Sequence, residues 1–255
     1  MNLIFGTAMH NTIQTYLNIM YNKNGVAADK EDLIGIFENN LREEYKKGLE
    51  KNKGGNFTTK EDFYDYYEDG RHILEFFKKK RNLYFSSRGM HLVGIEFPLS
   101  YAVHEEYPNI FMRGFIDIVL YDESDDKIYI KDFKTSTRGW KDKDKKDETK
   151  LSQILLYKEY FSKLFNWDID KIEVEFFILK RKIYEDSEFP QKRIQQFAPP
   201  SGTGKRNKAI NSFKEFIEDC FEKNGEYQAK EFEKKLGPHC RWCQFRDNKE
   251  LCDPL

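Results

Sequence analysis

The fold turns on three consecutive stretches: GFIDIVLY (residues 114–121), the acidic turn DESDD (122–126) and KIYIKDFKT (127–135). Two β-rich runs joined by a short polar turn predict an antiparallel hairpin. Side chains alternate along a strand, so Phe115, Asp117 and Val119 share one face of the first run. Ile128, Ile130, Asp132 and Lys134 share one face of the second. A turn centred between Ser124 and Asp125 sets Asp117 directly opposite Asp132, with both carboxylates projecting from one sheet face.

Opposed residues on paired strands have Cβ atoms about 4.5–5.5 Å apart, where like charges repel unless a cation lies between them. The bland alternative is a half-exposed hairpin whose aspartates are solvated or salt-bridged to Lys134. Ile116, Ile118, Val119, Ile128, Ile130 and Phe133 weigh against it, because they mark both strands as buried and a buried carboxylate is costly without a partner. The pair therefore calls for a metal. Hard divalent cations take carboxylate and carbonyl oxygens and can share coordination with a phosphate. Lys134, on the same face, is placed to orient a water or neutralise developing charge.

Outward from the hairpin, HLVGIEFPLSYAV (91–103) predicts a preceding antiparallel strand. Helical periodicity covers about 7–20, 30–51 and 60–84, with a Gly54-Gly55 break, so residues 1–90 read as a helical lobe that contributes His10. Downstream, the Lys/Asp/Glu alternation of 140–150 reads as a mobile linker. It leads into a helix with Ile154, Tyr157, Phe161 and Leu164 on one face. KIEVEFFILKRK (171–182) and 193–197 predict two further strands, and 205–223 another helix. The result is an α/β (α+β) fold, a mixed central sheet flanked by helices. It reads as one domain, 1–255, with a sheet core at 91–200 and a C-terminal helix and cysteine tail at 201–255.

A chain of 255 residues that is 39% hydrophobic and 34% charged is not compositionally disordered and can bury one sizeable core. Its net charge of −1 exerts no global pull on a polyanion, so any nucleic-acid site must rest on local basic groups. The N-terminus lacks a signal-peptide pattern, and no run approaches the roughly 18 apolar residues of a membrane helix. A cytoplasmic protein without membrane partners is expected.

Gly114-x-x-Asp117 followed by Asp132-x-Lys134-Thr135 resembles the PD-(D/E)XK nucleases, within them the RecB-like group that includes the nuclease domains of RecB and AddB and the CRISPR-adaptation nucleases. FGTAMH (5–10), with Gly6 four residues before His10, is similar to the segment in which that group supplies a metal-ligating histidine. Gln153-x-x-x-Tyr157 matches its glutamine and tyrosine motif, and Glu96 resembles a glutamate found on the strand before the hairpin. The resemblance implies a restriction-endonuclease-like core. It also implies one or two Mg²⁺ or Mn²⁺ ions held by His10, Asp117, Asp132 and the Phe133 carbonyl, with Lys134, Gln153 and Tyr157 as further catalytic-site residues. The implied activity is hydrolysis of DNA phosphodiesters, from an end, in recombination, repair or phage DNA processing, with a helicase or recombination protein as a partner. The alternative is a DNA-binding or metal-stabilised interaction module of the same fold that lacks catalysis.

The four cysteines, Cys220, Cys240, Cys243 and Cys252, lie near the C-terminus. Two residues separate Cys240 from Cys243 and eight separate Cys243 from Cys252, a spacing compatible with a metal knuckle. It is similar to the C-terminal part of the iron–sulfur staple of RecB-like nucleases. The family's upstream cysteine is missing, so Cys220 or His239 would have to complete an Fe–S or Zn²⁺ site; reduced thiols are the other reading. SGTGK (201–205) is no phosphate loop, since Pro199 stands where the first glycine belongs and Arg206 replaces the Ser or Thr. Lys205, Arg206 and Lys208 are nonetheless candidates for backbone phosphates at a helix start. Arg138, Lys180, Arg181, Lys182, Lys192 and Arg193 are candidates for a DNA groove, with Trp140 stacking on unpaired bases.

Overall fold

The computed structural model describes the chain except residues 87, 185, 231, 232, 234, 235, 247, 249–251 and 253–255. Helix α1 runs Asn2–Asn22, starting ahead of the expected Thr7 because Phe5 is drawn into the core. The expected second helix divides into α2, Gly25–Lys30, and α3, Leu33–Lys51, because Asp32 caps the second piece by accepting from the Gly35 N–H. Thr59 caps α4, Lys60–Lys80, in the same way through the Asp62 N–H.

Strands β1 (Met90–Ala102), β2 (Phe111–Asp122) and β3 (Lys127–Ser136) form an antiparallel meander. A one-turn helix α5 (Asp142–Lys145) and α6 (Glu148–Phe165) then carry the chain over to β4 (Ile172–Lys180), which pairs parallel with β3. Strand β5 (Ile194–Phe197) closes the sheet order β1-β2-β3-β4-β5, and α7 spans Thr203–Cys220. The mixed sheet with helices on both faces is the α/β architecture expected from the sequence.

Each sheet face has its own core. One is built by α1, α3 and α4 against Ile118, Leu120, Phe133, Phe177 and Leu179. The other is built by α6 and α7 against Ile116, Val119, Ile130, Val174 and Ile178. The N-terminal helices thus share a core with the sheet. Among the described residues, no helix is long and apolar enough to cross a membrane.

Two sequence expectations need correction. Residues 140–150 do not read as a mobile linker in the structure, because Trp140 packs on Phe176 with centroids 4.7 Å apart. Gln195 also holds the Trp140 backbone from both sides, and α5 follows. Nor do Phe115, Asp117 and Val119 share a face. Ile116 belongs to the α6-side core and Ile118 to the α1-side core, so alternation slips at Asp117, leaving Val119 buried and Phe115 60% exposed. The physical cause lies on the neighbouring strand, where Glu96 adopts left-handed backbone, φ 46°, and the β1–β2 ladder has already shifted register between Leu92 and Gly94.

Candidate active site

The slip creates the site. In the β1–β2 register Ile95 opposes Ile118 and Phe97 opposes Ile116, leaving Glu96 and Asp117 facing each other without a ladder pair. In the β2–β3 register Ile118 opposes Lys131, and pairing ends there, one position short of Asp117 and Asp132. The hairpin alignment expected from the turn is therefore correct. The two aspartates, however, occupy the row where the strands part. Asp117 turns its carboxylate to the ladder instead, its Oδ2 accepting from the Phe133 N–H at 2.5 Å. Glu96, Asp117 and Asp132 thus form one transverse row of carboxylates across three strands.

Helices on opposite faces complete it. From α1, His10 Nδ1 stands 3.8 Å from Asp117 Oδ2, and the ring rests edge-on against the Phe133 ring. From α6, Gln153 accepts from Lys134 Nζ at 3.0 Å and donates to the Tyr157 hydroxyl at 3.1 Å. That hydroxyl donates to the Phe115 carbonyl at 3.1 Å. Lys134 is thereby tied back to β2. This chain explains Gly114: a Cβ there would stand 2.9 Å from the Tyr157 ring, so only glycine lets the ring lie against the strand. The predicted His10, Asp117, Asp132, Phe133, Lys134, Gln153 and Tyr157 all converge here.

Sequence reading missed Gln14. One helical turn after His10, it donates to Glu96 Oε1 at 2.6 Å and to the Asp117 carbonyl at 3.2 Å, so it braces the unpaired row. Its signal was available in the i, i+4 spacing from His10 on a helix face that must meet the sheet.

The electrostatics of the row favour a bound cation. Burial pushes the carboxyls of Asp117 and Asp132 above the usual carboxylate range, and it holds His10 below the usual imidazole range, keeping the ring neutral. Lys134 Nζ lies 2.8 Å from Asp132 Oδ2, an ion pair not aligned as a hydrogen bond, so that buried oxygen has no hydrogen-bond partner. Among the described residues no group of three or more His, Cys, Asp or Glu side chains is arranged around a common metal position. The reason at this site is visible: Asp117 is drawn to the Phe133 N–H, Asp132 to Lys134, and His10 lies edge-on to the Phe133 ring. The donor set of carboxylate and carbonyl oxygens plus one neutral imidazole, with an orphaned buried oxygen, fits a hard divalent ion.

A family model for the PD-(D/E)XK nuclease superfamily matches residues 1–248. The chain belongs to that superfamily. No curated protein matches the chain. Membership makes this a chain of the nuclease class, whose members generally depend on a divalent metal and bind nucleic acid.

Other predicted groups are placed elsewhere. Cys220, Cys240, Cys243 and Cys252 are free, and no three of them come together, so the expected Fe–S or Zn²⁺ knuckle is not formed among the described residues. Cys220 ends α7, whereas Cys240 belongs to a separate 3₁₀ turn, Pro238–Trp242, with its sulfur near the Gly237 N–H. Several candidate DNA-binding cations are already engaged by the protein. Arg181 and Lys182 flank buried Asp69, Arg193 donates to the Arg181 carbonyl, and Arg138 lies over the Tyr184 ring. Lys205 and Lys208 pair with Glu148, and buried Arg206 pairs with Glu159. Trp140 is a packing residue on Phe176 instead of a free stacking platform.

Proposed function

We propose that this protein is a Mg²⁺- or Mn²⁺-dependent deoxyribonuclease of the RecB-like group, acting as an exonuclease in recombination, repair or phage DNA processing. It would work inside the cell, as a single domain of 1–255 and alongside a helicase or recombination protein. One observation carries this reading. Asp132 is buried and Asp117 half-buried at the row where two strands part, with Lys134 tethered beside them through Gln153 and Tyr157.

Asp117, Asp132, the Phe133 carbonyl and His10 would hold the metal, with Glu96 at the edge of the row. When bound, the ion supplies positive charge at the scissile phosphate and acidifies an attacking water. The Lys134 ammonium is fixed by Asp132 and Gln153, so it donates toward water or phosphate in one direction and is ordered before substrate arrives. Tyr157 positions Gln153 by donating to the Phe115 carbonyl, which keeps its lone pairs toward the amide. Neutral His10 presents a ring nitrogen beside Asp117 without adding charge that would oppose a cation.

The test is incubation of linear and circular DNA with Mg²⁺ or Mn²⁺, with chelator controls and the variants Asp117→Ala and Lys134→Ala. Chelator-sensitive cutting of linear DNA, lowered at least about a hundredfold in each variant, is expected. Wild-type protein that cuts neither form with either metal, or variants that cut as well as wild type, would sink the reading.

A further inference from the structure

Beyond the slip, the β1–β2 hairpin continues past the end of the β2–β3 ladder, with pairs from Phe97–Ile116 to Ala102–Phe111. Its inner face packs on α6 through Phe97, Leu99 and Ile116. Its outer face, on the side of the sheet where α1 sits, is bare. There Phe115 is 60% and Phe111 49% exposed, with Arg113 exposed between them. Arg113 makes no ion pair with any described residue. The paired positions on β1 are small or compact, Pro98 opposite Phe115, Ser100 opposite Arg113 and Ala102 opposite Phe111. A low track thus runs beside the three large side chains.

We propose that this outer face, Phe115-Arg113-Phe111, is the path by which a single strand of DNA reaches the carboxylate row. The inference rests on the nuclease reading above and names the form of its substrate. Three observations carry it. Phe115 lies on the α1 side of the sheet, two residues before Asp117, and on that side His10 of α1 stands 3.8 Å from Asp117 Oδ2, so the stripe ends at the site. Alternate strand residues are about 7 Å apart, room for one planar base between consecutive side chains. Aromatic rings alternating with a guanidinium supply what unpaired bases and their phosphates recognise, faces for stacking and a cation for the backbone. A base-paired duplex hides those faces.

The path is tested by fluorescence anisotropy of a labelled oligo-dT in EDTA, on the full chain carrying Asp132→Asn, which removes cutting and one carboxylate charge together. The Phe111→Ala/Phe115→Ala variant is expected to lose roughly five- to a hundredfold in affinity for each ring, whereas Phe115→Tyr retains the affinity of its parent. Arg113→Ala is expected to lower the slope of log affinity against log salt by about 0.7. Phe111, Arg113 and Phe115 are all exposed, so the melting temperatures of these variants should match that of their Asp132→Asn parent. An alanine pair that binds oligo-dT as tightly as its parent overturns the path, as does a parent that binds duplex and not oligo-dT. Because binding is read without metal, failure of the wild type to cut DNA would count against the nuclease reading and leave this result standing.

Discussion

Lys131 and Asp132 are neighbours on β3 that point to opposite faces, and they are among the most buried charges of the molecule, 6% and 2% exposed. Lys131 stands opposite Glu175 in the parallel β3–β4 register, makes an ion pair with it, and has the Phe85 ring beneath its ammonium. That charge is closed within the fold. Asp132 has only Lys134, which it shares with Gln153, and its neighbour in the row is a second carboxylate, Asp117. That charge is open. The difference teaches where stability ends and function begins on a single strand: a closed pair completes itself, whereas an open pair of carboxylates is stabilised by a cation from outside.

Five expected outcomes sharpen or break this contrast. The largest is in cleavage: Asp132→Ala should lower it by about a thousandfold or more. Replacing the closed pair together, Lys131→Met with Glu175→Leu, should leave cleavage within about threefold, since well-packed apolar residues can substitute for a buried ion pair. A double variant as inactive as Asp132→Ala would show the two faces to be coupled. Breaking only one side of the closed pair should be costly to the fold, with Lys131→Ala losing about 3–5 kcal/mol in urea denaturation. Gln153→Ala should lower kcat by about ten- to a hundredfold with KM nearly unchanged, because the amide acts through Lys134. An equal rise in KM would place Gln153 on the substrate instead.

A stability effect opposite in sign to that of Lys131→Ala is expected at the open row. Asp132→Asn should stabilise the metal-free protein at pH 7.5 by about 1–2 kcal/mol, because it removes a charge whose burial is uncompensated. The sign with pH follows from the raised carboxyls. A group that holds its proton more tightly folded than unfolded contributes stability at low pH and loses it as pH rises, here between the ordinary 3.8 and about 6. The advantage of Asp132→Asn over wild type should therefore shrink as pH falls from 7.5 to 5. Asp132 also raises the His10 imidazole, so its neutralisation makes that buried ring harder to protonate and shrinks the advantage on acidification in the same direction. An advantage that grows on acidification would show Asp132 to be stabilised as the anion without metal.

Much of this was legible in the sequence. Hydrophobic period placed the helices and strands, and a polar turn centred between Ser124 and Asp125 set the hairpin register that the structure keeps as Ile118 opposite Lys131. The residues at Gly114, Asp117, Asp132, Lys134, Gln153 and Tyr157 marked the site because their spacing follows from local geometry, two residues per pleat and about four per helical turn. Tertiary structure alone decided the rest. The slip at Asp117 arises from the left-handed backbone of Glu96 on another strand, and Gln14 joins the site only because α1 lies across the sheet. Arg181, Lys182 and Arg206 look free in sequence, yet Asp69 and Glu159, distant along the chain, engage them. Periodicity reports which face a side chain takes. Only packing determines which charge meets it there, because an ion pair or an open row of carboxylates depends on partners that sequence distance does not bring together.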